Sequence, residues 1–76
     1  MTRDEFRAAL GGAIGAEAAE LPDDRLLETL PAWDSLAQLS VIALIMEQFD
    51  DQPDLKQLAK CETVADVIAL VAHRLS

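Results

Sequence analysis

DSLAQLSVIALIMEQF, residues 34–49, reads as a helix. Val41, Ile42, Ile45 and Phe49 recur at helical spacing and form a core stripe. The helix is predicted to start at Asp34 or Ser35 and to run through Phe49, where the Asp50-Asp51 pair and then Pro53 stop it. Leu36, Leu39, Ala43, Leu44 and Met46 continue the apolar character around the cylinder, which an ordinary surface helix avoids. The helix is therefore either central to the domain or a docking surface.

Upstream, Thr2 and Glu5 have the spacing of a capping box, and Phe6, Leu10 and Ile14 follow on one helical face, which predicts a first helix over about residues 3–17. Gly11, Gly12 and Gly15 fall inside it, each costing about 1 kcal/mol relative to alanine. Close helix packing is the expected return. Gly11 and Gly15 have the spacing of a membrane dimer motif, but the charged flanks and short length argue against one. No Gly-Lys-Ser/Thr follows, so the glycines do not make a phosphate loop. Between Ala18 and Asp34 the helical period fades into a connector with Pro22, Pro31 and the Asp23-Asp24 pair, whose Leu21, Leu26, Leu27 and Leu30 are expected to anchor across the bundle. A connector this long is commonly functional when ordered.

Downstream, Asp54 is placed to cap a short third helix over about Leu55–Lys60, with Leu58 facing inward. Thr63 then caps a last helix carrying Val64, Val67, Ile68, Val71 and Leu75 on one face. The expected fold is all-α: a small four-helix bundle of three long helices and one short one with a long first connector, forming a single domain over residues 1–76.

Length and charge narrow the function. A chain of 76 residues has room for one modest core and little else, which excludes a two-domain enzyme and disfavours a deep catalytic cleft. Acidic residues outnumber basic ones 14 to 6, so the net charge of −8 repels nucleic acid and favours basic patches on partner proteins. Cys61 is the only cysteine, which leaves no intrachain disulfide and makes a reducing compartment the default. The first residues lack a signal-peptide pattern and no apolar run approaches membrane-spanning length, so a soluble, cytoplasmic monomer is expected.

The sharpest local feature is Trp33-Asp34-Ser35-Leu36, where the acidic connector meets the apolar helix. Capping explains it on structural grounds: Asp and Ser are preferred N-caps, and Ser35 with Gln38 fits a capping box. A modification site explains it too, because a helix N-terminus offers free N–H groups and a positive dipole end to a phosphate attached there. The two readings are compatible.

Asp34-Ser35-Leu36, in an acidic helical domain of this length, resembles the Asp-Ser-Leu signature of acyl carrier proteins. The resemblance covers nearly the whole chain. It includes Trp33, the run Ile45-Met46-Glu47-Gln48-Phe49, similar to the family's apolar-acidic-Phe helix end, and Thr63-Val64-Ala65-Asp66-Val67, similar to its final helix entry. It implies that Ser35 receives a covalent 4′-phosphopantetheine arm from coenzyme A through a phosphopantetheinyl transferase, whose Mg²⁺ neutralises the pyrophosphate while Asp34 helps to place the serine or approaches the metal. The arm's thiol would then hold an acyl group for acyl-loading and for acyl-transferring or condensing enzymes. On this reading the chain is a substrate of the transferase and not an enzyme.

The chain departs from the pattern in fatty-acid-synthesis carriers, whose second helix presents an acidic strip. Here Leu36, Ser40, Ala43 and Glu47 share the corresponding side, and only Glu47 is charged. The negative charge sits instead at Glu17, Glu20, Asp23, Asp24 and Glu28, and at Asp50, Asp51 and Asp54. This points to dedicated partners in a specialised secondary-metabolite, polysaccharide or lipid pathway, with Leu36 as the main docking contact. Peptidyl carriers resemble a Gly-Gly-His/Asp-Ser pattern that Pro31-Ala32-Trp33-Asp34-Ser35 lacks, so acyl cargo is favoured over the aminoacyl, peptidyl or D-alanyl kinds. The reading from a different class is an unmodified helical interaction domain in which Ser35 is only a cap.

The remaining residues read as structural. Cys61 is expected to be a small, partly buried thiol, and His73 a surface residue at a helix end. One His and one Cys make no zinc site. Trp33 is expected to pack over the connector and the bundle, steadying the turn that carries Ser35.

Overall fold

In a computed structural model, which describes residues 1–75, helix α1 (Arg3–Ile14) packs along helix α2 (Ser35–Phe49). Two short helices, α3 (Leu55–Ala59) and α4 (Val64–Ala69), follow. Single 3₁₀ turns lie at Ala18–Glu20, Leu27–Thr29 and Ala72–Arg74. The result is a small all-α fold with a radius of gyration of 10.9 Å, close to the roughly 11 Å of a folded chain of this length.

α1 starts as its sequence indicates: the Thr2 hydroxyl accepts the Glu5 N–H at 3.1 Å, and the Glu5 carboxylate accepts the Thr2 N–H at 2.9 Å. It ends earlier than expected, at Ile14. Gly15 takes a left-handed conformation (φ 77°) that L side chains adopt only with strain, so it caps the helix instead of lying within it. Gly11 is buried, and a Cβ there would collide with the Ala16 carbonyl where the chain turns back. Its lack of a side chain admits that close approach.

Phe6, Leu10 and Ile14 of α1 meet Ala37, Val41 and Ile45 of α2 in the core, and the Phe6 and Phe49 rings pack at 5.8 Å. The α2 stripe is thus rotated slightly from the expected one: Ala37 is fully part of it, whereas Ile42 is only half-buried. Leu58 of α3 and Val64, Val67 and Ile68 of α4, with Val71 beyond it, complete the core.

The connector supplies Leu21, Leu27 and Leu30 to the core, but Leu26, expected to anchor with them, is exposed. Its backbone is occupied instead. Leu26 bridges to Thr63, the Leu27 N–H donates to the Glu62 carbonyl at 2.8 Å, and the Val64 and Ala65 N–H groups donate to the Arg25 and Asp23 carbonyls. Two N–H groups of the first turn of α4, which have no intrahelical partner, are thereby satisfied by the connector. Asp23 also pairs with Arg7 and, at 3.5 Å, with Arg3, fastening the connector to α1.

The last segment departs from the expectation of three long helices. After Ala69 the bonds shorten to three-residue steps, from the Leu70 N–H to Val67 and from the Val71 N–H to Ile68, and a 3₁₀ turn follows. Among the described residues only α1 and α2 are long. Val71 stays buried through the change because a three-residue step returns to nearly the same face.

Candidate functional site

The Trp33–Leu36 segment lies where the connector delivers the chain to α2. The Trp33 N–H donates to the Leu30 carbonyl at 3.1 Å, and the half-buried Trp33 packs against the core as expected. Asp34 is extended (φ −138°, ψ −173°), and its Oδ1 accepts the Ala37 N–H at 2.8 Å. Asp34 is therefore the N-cap, and the capping box expected between Ser35 and Gln38 does not form. The extended backbone places the cap one residue earlier than that pairing requires. The third helical residue is then Ala37, which has no side chain to return a bond.

Ser35 is consequently the first helical residue, exposed, with its hydroxyl released from the capping role. The N–H groups of Ser35 and Leu36 occupy the first two positions of the helix, where no carbonyl four residues back is available. Leu36, which follows, is 72 % exposed. A shallow depression of about 250 Å³ opens beside them, lined by Ala13 and Ile14 from α1, Ala32, and Asp34, Leu36, Ala37 and Ser40.

Of the expected docking residues, Leu36, Ala43 and Glu47 are exposed and Ser40 is half-buried, its hydroxyl donating to the Leu36 carbonyl at 3.1 Å. The structure brings these four together on the side of α2 turned from the core. Leu39 and Met46, 55 % and 46 % exposed, extend that face. Their apolar character pointed equally to burial, so spacing alone did not assign them to the surface.

A larger groove, about 360 Å³, lies on the connector side, lined by Leu26, Leu27, Glu28, Trp33, Cys61 and Glu62. Cys61 is half-buried, its thiol donates to the Gln57 carbonyl at 3.4 Å, and burial followed by the nearby Asp66 charge pushes its pKa up. That is the reverse of what a nucleophilic thiolate needs. His73 is exposed with Nε2 3.6 Å from Asp51. Among the described residues no group of three or more His, Cys, Asp or Glu could hold a metal ion, and no helix is long and apolar enough to cross a membrane. No family model, curated protein or solved structure matches the chain.

Proposed function

We propose that this chain is an acyl carrier protein of bundle type in which Ser35 carries 4′-phosphopantetheine. The observation that supports the reading most is the division of roles at the start of α2: Asp34 provides the cap, and the adjacent Ser35 hydroxyl is left exposed and uncommitted. A serine needed only for capping would hold the bond that Asp34 holds.

The surroundings fit a phosphodiester. The open Ser35 and Leu36 N–H groups and the positive end of the α2 dipole favour an anion on the Ser35 oxygen. In the transfer, Ser35 Oγ attacks phosphorus in the pyrophosphate of coenzyme A. The P–O–P bond breaks, the adenosine bisphosphate departs, and the hydroxyl proton passes to a base of the transferase. Asp34 positions the nucleophile through the backbone it caps. The arm, once attached, supplies the thiol that forms the thioester. Leu36 and the nearly neutral face around Ser40, Ala43 and Glu47 suit acyl-loading and acyl-transferring or condensing enzymes of a specialised pathway, which deliver and collect the acyl group.

Intact-mass measurement after incubation with coenzyme A, Mg²⁺ and a broad-specificity phosphopantetheinyl transferase tests this. Wild type should gain one phosphopantetheine and Ser35→Ala none; no gain by wild type, or an equal gain by Ser35→Ala, refutes it.

A further inference from the structure

Between the buried Leu21 and Leu27, residues 22–26 cross the start of α4 with no side chain in the core. Their backbone holds to α4: the Asp23 and Arg25 carbonyls accept the Ala65 and Val64 N–H groups at 2.9 and 3.1 Å, and Leu26 bridges to Thr63. Their one tie to α1 is the Asp23 carboxylate, clamped between Arg7 and Arg3. Asp23 therefore joins α1 to α4 through a single residue. The stretch also borders a cavity, because Leu26 lines the groove of about 360 Å³ that Trp33, Cys61 and Glu62 share.

The clamp is weak and incomplete. The Asp23 side chain is 52 % exposed, and ion pairs this open to water shift an equilibrium by a factor of about five or less. The Arg7 guanidinium that reaches Asp23 has its Nε buried with no hydrogen-bond partner, the one such side-chain atom among the described residues. The closed arrangement thus keeps a donor stripped of water, a cost that opening relieves. We propose that residues 22–26 form a strap that gates the groove. The Asp23 clamp holds the strap shut. Its release, with Leu21 and Leu27 still seated in the core, frees the Val64 and Ala65 N–H groups and moves Leu26 off the groove beside Cys61. The strap belongs to the connector and α4 and does not depend on modification of Ser35. Failure of the mass measurement leaves it standing, and its own failure leaves Ser35 untouched.

Native-state amide hydrogen exchange, corrected for intrinsic rates, and alkylation of Cys61 by iodoacetamide test the strap on the full chain. In wild type the Val64 and Ala65 amides should exchange at least about tenfold faster than those of Val41 and Ile45 in α2. Low urea should leave the first pair unchanged and accelerate the second, because strap opening exposes little surface and global unfolding exposes much. Asp23→Asn keeps an acceptor oxygen but removes the charge. It should speed Val64 and Ala65 exchange about threefold to fivefold, still without urea dependence, and raise Cys61 alkylation by a similar factor. Asp24→Asn, the same change one residue outside the clamp, should stay within about twofold of wild type in both readouts. Raising salt from about 0.02 M to about 0.5 M should open the strap in wild type and leave Asp23→Asn within about twofold. The proposal is overturned if Val64 and Ala65 share the rate and urea dependence of Val41 and Ile45, since they would then open only with the whole fold. It is equally overturned if Asp23→Asn exchanges like wild type, or if exchange rises while Cys61 alkylation does not.

Discussion

The Asp34 carboxylate accepts the Ala37 N–H at 2.8 Å, whereas the neighbouring Ser35 hydroxyl takes no part in the cap. Asp34→Ala should therefore lower stability by about 1 kcal/mol, the usual cost of a lost N-cap, and Ser35→Ala should change it by less than about 0.5 kcal/mol. Urea unfolding of the two variants decides it, and a larger loss in Ser35→Ala would return the cap to the serine. The sequence could not make this choice. Asp and Ser are both good caps, and Gln38 stood ready as the reciprocal partner for Ser35. What decides is the extended backbone at Asp34, set by the connector's delivery of the chain into α2. Gly15 was ambiguous for a similar reason: a glycine inside a helical pattern and one just past its end look alike until φ is known.

At the scale of elements, the capping boxes at Thr2/Glu5 and Asp54/Gln57 lie where helix starts were expected, and Thr63 caps α4 as its residue type indicated, with Asp66 returning the bond. These are legible because a reciprocal cap needs only residue type and a fixed spacing. The early end of α4 was not legible, since Val64, Val67, Ile68 and Val71 keep the same face whether the bonds step by three or by four. Leu26 failed differently: a connector has no period, so nothing in the sequence separates the leucine that bridges through its backbone from those that enter the core. The α4 cap carries a pH signature. The Glu62 N–H first, and then that of Thr63, hold the Asp66 carboxylate below its ordinary pKa near 3.8. The unfolded chain thus binds that proton more readily than the folded one. The stabilisation from Asp66 is complete above the ordinary value and is lost as pH falls through the lower folded value. Wild type should exceed Asp66→Asn in unfolding free energy at about pH 6, with the difference shrinking toward about pH 3. A gap that is constant across this range would remove the charge from the cap's contribution.

For the molecule as a whole, one compact core must stabilise two long helices, two short ones and a connector. A chain of this length has a stability of roughly 4–11 kcal/mol. Phe6 is completely buried and stacks at a tilt against Phe49, joining the start of α1 to the end of α2. Truncating a buried phenylalanine to alanine costs about 3–5 kcal/mol, a large part of that total. Phe6→Ala should therefore be partly unfolded at physiological temperature, and Phe6→Leu, which retains most of the volume, should stay folded with a lower unfolding midpoint. Far-UV circular dichroism through a thermal scan reads both. The consequence reaches Ser35, because α1 contributes Ala13 and Ile14 to the depression beside it and the α1–α2 contact holds α2 in place. Loss of that contact would free the helix start without touching any residue near the serine. An unaltered midpoint for Phe6→Ala would mean that the α1–α2 contact does not carry the fold.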